Sequence, residues 1–155
     1  YTIEKTQIAQ IIFDIRKEEN PCSLCAKMRR GALHEAAKRL GCNKVALGHH
    51  NDDVIETFFL CLFYESRIGC FSPVTYLDRS NLYLIRPFVS MPEKEIKRFV
   101  YTNEIPVVSS TCPADGNTKR QEIKEFISEL KKDHKDIKKR AFHAIETANI
   151  NGWKP

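Results

Sequence analysis

The stretch K-V-A-L-G-H-H-N-D-D-V-I-E-T-F-F, residues 44–59, decides the fold. It opens with an apolar strand, Val45–Leu47, and closes as an apolar helix that runs to about Glu65. Gly48, His49, His50, Asn51, Asp52 and Asp53 sit at the seam. A short apolar strand that feeds a helix within a few residues is the grammar of an α/β fold with a parallel, buried sheet. Asn51 or Asp52 has the side chain to cap the helix. The two histidines are adjacent, so one faces the seam while the other packs or bonds beneath the helix.

Upstream, Asn20-Pro21 reads as a helix start, since Pro fits the first turn. The helix C-S-L-C-A-K-M-R-R-G-A-L-H-E-A-A-K-R-L follows and stops at Gly41. Residues 3–16 carry apolar positions without a clean period, which leaves strand and helix both open. Downstream, P-V-T-Y-L, D-R-S-N and L-Y-L-I-R-P-F spell an antiparallel hairpin over 73–88. Ser90-Met91-Pro92-Glu93 has the spacing of a capping box and opens a helix to about Asn103. I-P-V-V, 105–108, reads as a further buried strand. S-T-C-P-A-D-G-N is a loop, and Thr118 starts helix that continues to about Ala148 with a break near His134.

The 155 residues suffice for one domain, and 42% hydrophobic with 29% charged residues is globular, not disordered. No apolar run reaches the length of a membrane span, and no signal peptide is visible, so a cytoplasmic chain without membrane partners is expected. The net charge of +5 is uneven: residues 117–155 hold ten Lys and Arg against six Asp and Glu. That basic segment is expected to pack on residues 1–116 and suits an anionic partner such as RNA, although a solvated helix face has the same composition.

The seam has a physical reading of its own. In open α/β sheets, ligands bind beyond the C-terminal ends of the strands. Gly48 lets backbone approach a ligand, the helix start offers free N–H groups to phosphate, and Asp52 and Asp53 offer hard oxygens to Mg²⁺. A nucleotide–Mg²⁺ site fits; a plain helix cap is the simpler alternative.

Six cysteines are many for a chain without a secretory signal, and metal binding or thiol chemistry is the better expectation. Cys22 and Cys25 form a C-x-x-C at a helix start, beside Lys27, Arg29 and Arg30, where thiolate is favoured. A redox dithiol and half a zinc site remain open. Cys112, in a loop, is the natural third ligand, and three thiolates suit an iron–sulfur cluster with one open iron. Cys42, Cys61 and Cys70 read as core or near-core residues.

Taken together, P-C-S-L-C-A-K-M-R-R-G-A-L, L-G-H-H-N-D-D-V-I-E-T, I-R-P-F-V-S-M-P-E-K-E-I and C-P-A-D-G-N-T-K-R-Q-E-I resemble the tRNA 2-thiocytidine synthetase family, within the PP-loop (N-type ATP pyrophosphatase) superfamily. The resemblance runs from about Asn20 to Leu130. It implies part of an adenine-nucleotide alpha-hydrolase-like (Rossmann-like) parallel sheet flanked by helices, with a short β-hairpin and a helical C-terminal segment. It implies ATP-dependent thiolation of C2 of an anticodon-loop cytidine in tRNA, through an adenylated intermediate. Carried over, Cys22, Cys25 and Cys112 would ligate a 4Fe-4S cluster, with Cys22, Cys25, Asp52 and Asp53 as the catalytic set. Gly48, His49, Asp52 and Asp53 would form the ATP–Mg²⁺ site. Charge and placement alone nominate Arg29, Arg30, Lys119 and Arg120 for RNA contacts. The implied partners are tRNA and a sulfur donor, either the persulfide of a cysteine desulfurase or sulfide, and a homodimer is compatible with the family.

One departure stands out. The superfamily's S-G-G-x-D-S loop is absent, and the six glycines include no G-G pair. The chain is therefore expected to be the C-terminal two-thirds or so of a longer enzyme, with little adenylating activity alone and with apolar surface left uncovered. Three rivals remain. One is another PP-loop tRNA-modifying enzyme, of 2-thiouridine or lysidine type. The second is a non-catalytic, metal-stabilised RNA-binding module, and the third is a plain zinc-binding structural domain.

Overall fold

Two histidines and two aspartates separate the first strand, β1 (Lys44–Ala46), from the helix α2 (Asn51–Tyr64) in the computed structural model, which describes residues 1–153. The last two residues of the basic 117–155 segment lie outside that range. α1 covers Pro21–Arg39, with Pro21 in its first turn, and Gly41 takes the left-handed conformation (φ +69°) that ends it. The hairpin forms as β2 (Val74–Leu77) and β3 (Leu82–Ile85). α3 (Glu93–Thr102), α4 (Lys119–Asp133) and α5 (Ile137–Thr147) follow, with the break between the last two at His134. Of the ambiguous N-terminal stretch only residues 8–15 are helical, with a π-type turn at Gln10–Ile15.

The strands form one mixed sheet in the order β1-β3-β2. The amide of Tyr83 donates to the Asn43 carbonyl and that of Leu47 to the Ile85 carbonyl, so β1 and β3 advance in the same direction. β2 returns against β3 through the Asp78–Asn81 turn, where Asn81 adopts φ +49°.

The chain divides into two compact units. The first comprises Tyr1–Val45 and Tyr76–Leu84. Here the N-terminal helical turn lies against α1, Ile12 is fully buried, and Ala36, Ala37, Val45, Leu82 and Leu84 are buried as well.

The second unit comprises Ala46–Thr75 and Ile85–Pro155, and its centre is α2. Successive helix positions point about 100° apart, so Val54 and Ile55 serve different neighbours. Val54 packs with Cys70, Val89, Ile145 of α5 and Trp153. Ile55 packs with Ile123 and Ile127 of α4. Each such aliphatic side chain contributes roughly 1.5–3 kcal/mol on burial. The apolar run that looked like a buried helix is one, because α4 and α5 close on two of its faces.

Several expectations need correction. His50, not Asn51 or Asp52, is the N-cap of α2. Ser90 does not cap α3, whose N-cap residue is Pro92. Residues 105–108 form no strand: Val107 and Val108 are 76% and 92% exposed, and no strand of the described sheet pairs with them. β1 buries only Val45, since it is an edge of the sheet. Cys42 is exposed, whereas Cys61 and Cys70 are buried as expected.

Candidate functional site

The seam is built by a reciprocal cap. The His50 ring accepts the Asp53 amide at Nδ1 (3.3 Å), and Asp53 Oδ2 accepts the His50 amide (3.0 Å). This is a capping box with histidine in place of Ser or Thr, and it fixes both side chains at the positive end of α2.

Asp52 points elsewhere. Its Oδ2 accepts the Glu93 amide (2.7 Å), which caps α3 from a distance, and its Oδ1 binds the Lys138 ammonium of α5. One buried carboxylate thus joins three helices. Burial pushes its pKa up, but the Lys138 bond, the Glu93 amide and the Lys138 charge outweigh this and hold it below its ordinary range.

One turn further along α2, Glu56 is buried and faces Arg120 (2.9 Å) and Lys124 (3.8 Å) of α4. Burial raises its pKa despite these two cations. Arg120 also donates to Thr57 Oγ1 (3.1 Å) and lies 3.6 Å from Asp53 Oδ1. Its fork is engaged with α2, so an RNA contact is at most a second role. Lys119 pairs with Glu122 and sits over the Tyr64 ring at 5.1 Å. Arg30 donates to the Ala26 carbonyl, and both Arg29 and Arg30 are exposed on α1.

The second seam histidine, His49, stacks on Phe71 with ring centres 4.7 Å apart and accepts Arg86 Nε at Nδ1 (3.3 Å). Burial, then the Arg86 charge, lowers its pKa. Gly48 is exposed, and a Cβ there would meet open space, so a ligand could approach that backbone directly.

None of the six cysteines is in a disulfide. Cys22 is exposed and Cys25 half-buried in the first turn of α1; Cys112 is exposed in the loop before α4. Three accessible thiols are a suitable soft donor set for iron. Among the described residues, no group of three or more His, Cys, Asp or Glu side chains is gathered for a metal ion.

Sequence reasoning missed His50 as a cap, Glu56, Arg86 and Lys138. The His50–Asp53 spacing carries the capping-box signal once histidine is admitted as an acceptor. Lys138 lies 86 residues from Asp52, and no local pattern announces it.

The PP-loop domain family matches residues 3–130. The chain is 38% identical over 152 residues to the tRNA-cytidine(32) 2-sulfurtransferase of Citrifermentans bemidjiense, covering 96% of this chain and 60% of that protein. It is 37% identical over 137 residues to the enzyme of the same name from Geobacter sulfurreducens, covering 84% and 53%. The chain thus spans no more than about three fifths of the length of these curated relatives. Among solved structures, it is similar to the U34-tRNA thiolase NcsA from Methanococcus maripaludis with its 4Fe-4S cluster, with a TM-score of 0.70 and 24% identity, over 87% of this chain and 45% of that one. That likeness is one of fold.

Proposed function

We propose that this chain, which belongs to the PP-loop domain family, is part of an ATP-dependent tRNA thiolase that acts on C2 of an anticodon-loop cytidine. The observation that carries the reading is the match to tRNA-cytidine(32) 2-sulfurtransferases over 96% of the chain, a span that includes both the histidine–aspartate seam and Cys22, Cys25 and Cys112.

In this reading the cytidine O2 attacks the α-phosphorus of ATP and pyrophosphate leaves. A sulfur nucleophile then adds at C2, and AMP departs with the oxygen. The N-terminal end of α2, with the exposed Gly48 backbone, faces the phosphates. Asp53 would offer Oδ1, which lies 3.6 Å from Arg120, to Mg²⁺, while Asp52 is spent on α3 and α5 and acts by holding the seam in shape. Cys22, Cys25 and Cys112 would hold a 4Fe-4S cluster, which when bound offers an open iron to sulfur. Arg29, Arg30 and the basic 117–155 segment face tRNA, and sulfur arrives as sulfide, or as a desulfurase persulfide whose S–S bond a thiol reductant then cleaves, leaving a disulfide on the carrier. Among the described residues no helix is long and apolar enough to cross a membrane, which is compatible with action on tRNA in the cytoplasm.

The test uses the native protein that carries this chain, purified without oxygen. Brown protein with about four irons is expected, together with ATP-dependent 2-thiocytidine in tRNA by nucleoside mass spectrometry. Cys22→Ala, Cys25→Ala or Cys112→Ala should abolish both iron and product. Colourless, zinc-bearing protein that binds tRNA without forming thiocytidine would instead support the RNA-binding module.

A further inference from the structure

The nucleotide reading places His49 at the ATP site but gives it no role and leaves Arg86 unassigned. Arg86 directly follows β3, inside the I-R-P-F run, and is 9% exposed. Its Nη1 donates to the Ser72 carbonyl (2.5 Å) and to Thr75 Oγ1 (3.4 Å), and its Cζ lies 4.8 Å from the centre of the Phe71 ring. The guanidinium is therefore fixed on two sides before it reaches His49. Its Nε then donates to His49 Nδ1 at 3.3 Å, while the His49 ring stacks on the same Phe71 at an interplanar angle of 30°.

The donor inventory settles which imidazole nitrogen carries the proton. Arginine has five N–H donors, no acceptor, and keeps its charge in proteins. A nitrogen that accepts from it must present a lone pair, so Nδ1 is bare and the ring proton resides on Nε2. A second proton on Nδ1 would meet Arg86 head-on, and burial together with the Arg86 charge lowers the His49 pKa. Arg120 and His50 act in the same direction, and Asp53 opposes them. Nε2 has no hydrogen-bond partner among the described residues and is not sealed from solvent. It stands two residues before α2, whose positive N-terminal end favours an anion.

We propose that Arg86 is a positioning residue that locks His49 as the Nε2–H tautomer, so that His49 is a neutral hydrogen-bond donor to a nucleotide phosphate and not a base or a metal ligand. The tautomer follows from this chain's geometry; the phosphate rests on the nucleotide reading above.

Two measurements test the proposal. The first is ¹⁵N NMR of histidine-labelled protein, with His49 assigned by the resonances lost in His49→Gln. A bare Nδ1 and a protonated Nε2 are expected, with Arg86→Met shifting His49 toward a tautomer mixture. An imidazolium, or Nδ1–H in the unsubstituted protein, overturns the proposal. Because Arg86 is buried and its loss can unfold the unit, the second measurement leaves it in place. His49→Gln brings an amide N–H near the Nε2 position, whereas His49→Asn brings it near Nδ1. In the native protein, His49→Gln should keep the KM for ATP within about threefold, and His49→Asn should raise it about tenfold, the size of one hydrogen bond to a charged group. Equal losses in both overturn the donor role. If the unsubstituted protein binds no ATP, the nucleotide reading fails and the phosphate assignment with it, while the NMR result still decides the tautomer.

Discussion

Asp52 carries two demands that its place in the chain does not reveal. It terminates α3 from outside and neutralises Lys138, so its loss strands an amide and an ammonium at once. Asp52→Ala should cost roughly 2–5 kcal/mol in urea denaturation, the sum expected for a lost cap and a charged hydrogen bond. The sign of its pH dependence follows from its lowered pKa. Because the folded-state value lies below the ordinary 3.8, the stabilisation is present at neutral pH and is lost as pH falls below about 4 through the folded value. Asp52→Asn should therefore lower the urea midpoint at pH 7 and flatten its decline in acid. The sequence made both aspartates look alike, two carboxylates awaiting a cation. What separates them is a helix start and a lysine brought in from far along the chain, and neither is written near Asp52. Asp53 is the opposite case: its main partner, His50, is three residues away, at a spacing that carries the cap signal once histidine counts as an acceptor.

Helix positions were readable wherever punctuation is local. Pro21, Gly41, Thr118 and the His134 break all mark true boundaries, because each acts on the stretch of chain immediately around it. Failures came where an element depends on a neighbour. Residues 105–108 have strand composition but no partner to bond, and Ser90 has cap chemistry but a competitor in Asp52. At this scale α2 is the element to test. His50→Ala should remove its cap at about 0.5–2 kcal/mol, and His50→Asn should restore much of the loss, read from thermal unfolding followed by circular dichroism. Ile127→Ala, in the seam of α2 and α4, should cost about 2–5 kcal/mol by the same measure.

Charge divides by role across the whole molecule. The +5 excess is visible in the composition, but which cations are spent inside the fold is not. Arg120 is committed to Glu56 and Thr57, whereas Lys131, Lys135 and Lys139 are exposed. If the basic segment faces tRNA, Lys131→Ala or Lys135→Ala should weaken binding evenly across tRNAs and reduce the salt slope by roughly 0.7–0.9 for each phosphate that is no longer neutralised. Arg120→Ala should instead lower the unfolding midpoint and leave that slope nearly unchanged.

The unequal burial of the cysteines makes the chain its own clock for opening. Cys61 and Cys70 lie in the packing around α2, and burial pushes the Cys70 thiol up to about 11. Reagents that alkylate thiolates will mark the four more accessible sulfurs first and reach these two only when α2 parts from its neighbours. The fifth and sixth mass increments, timed under native conditions, would report how often the core breathes.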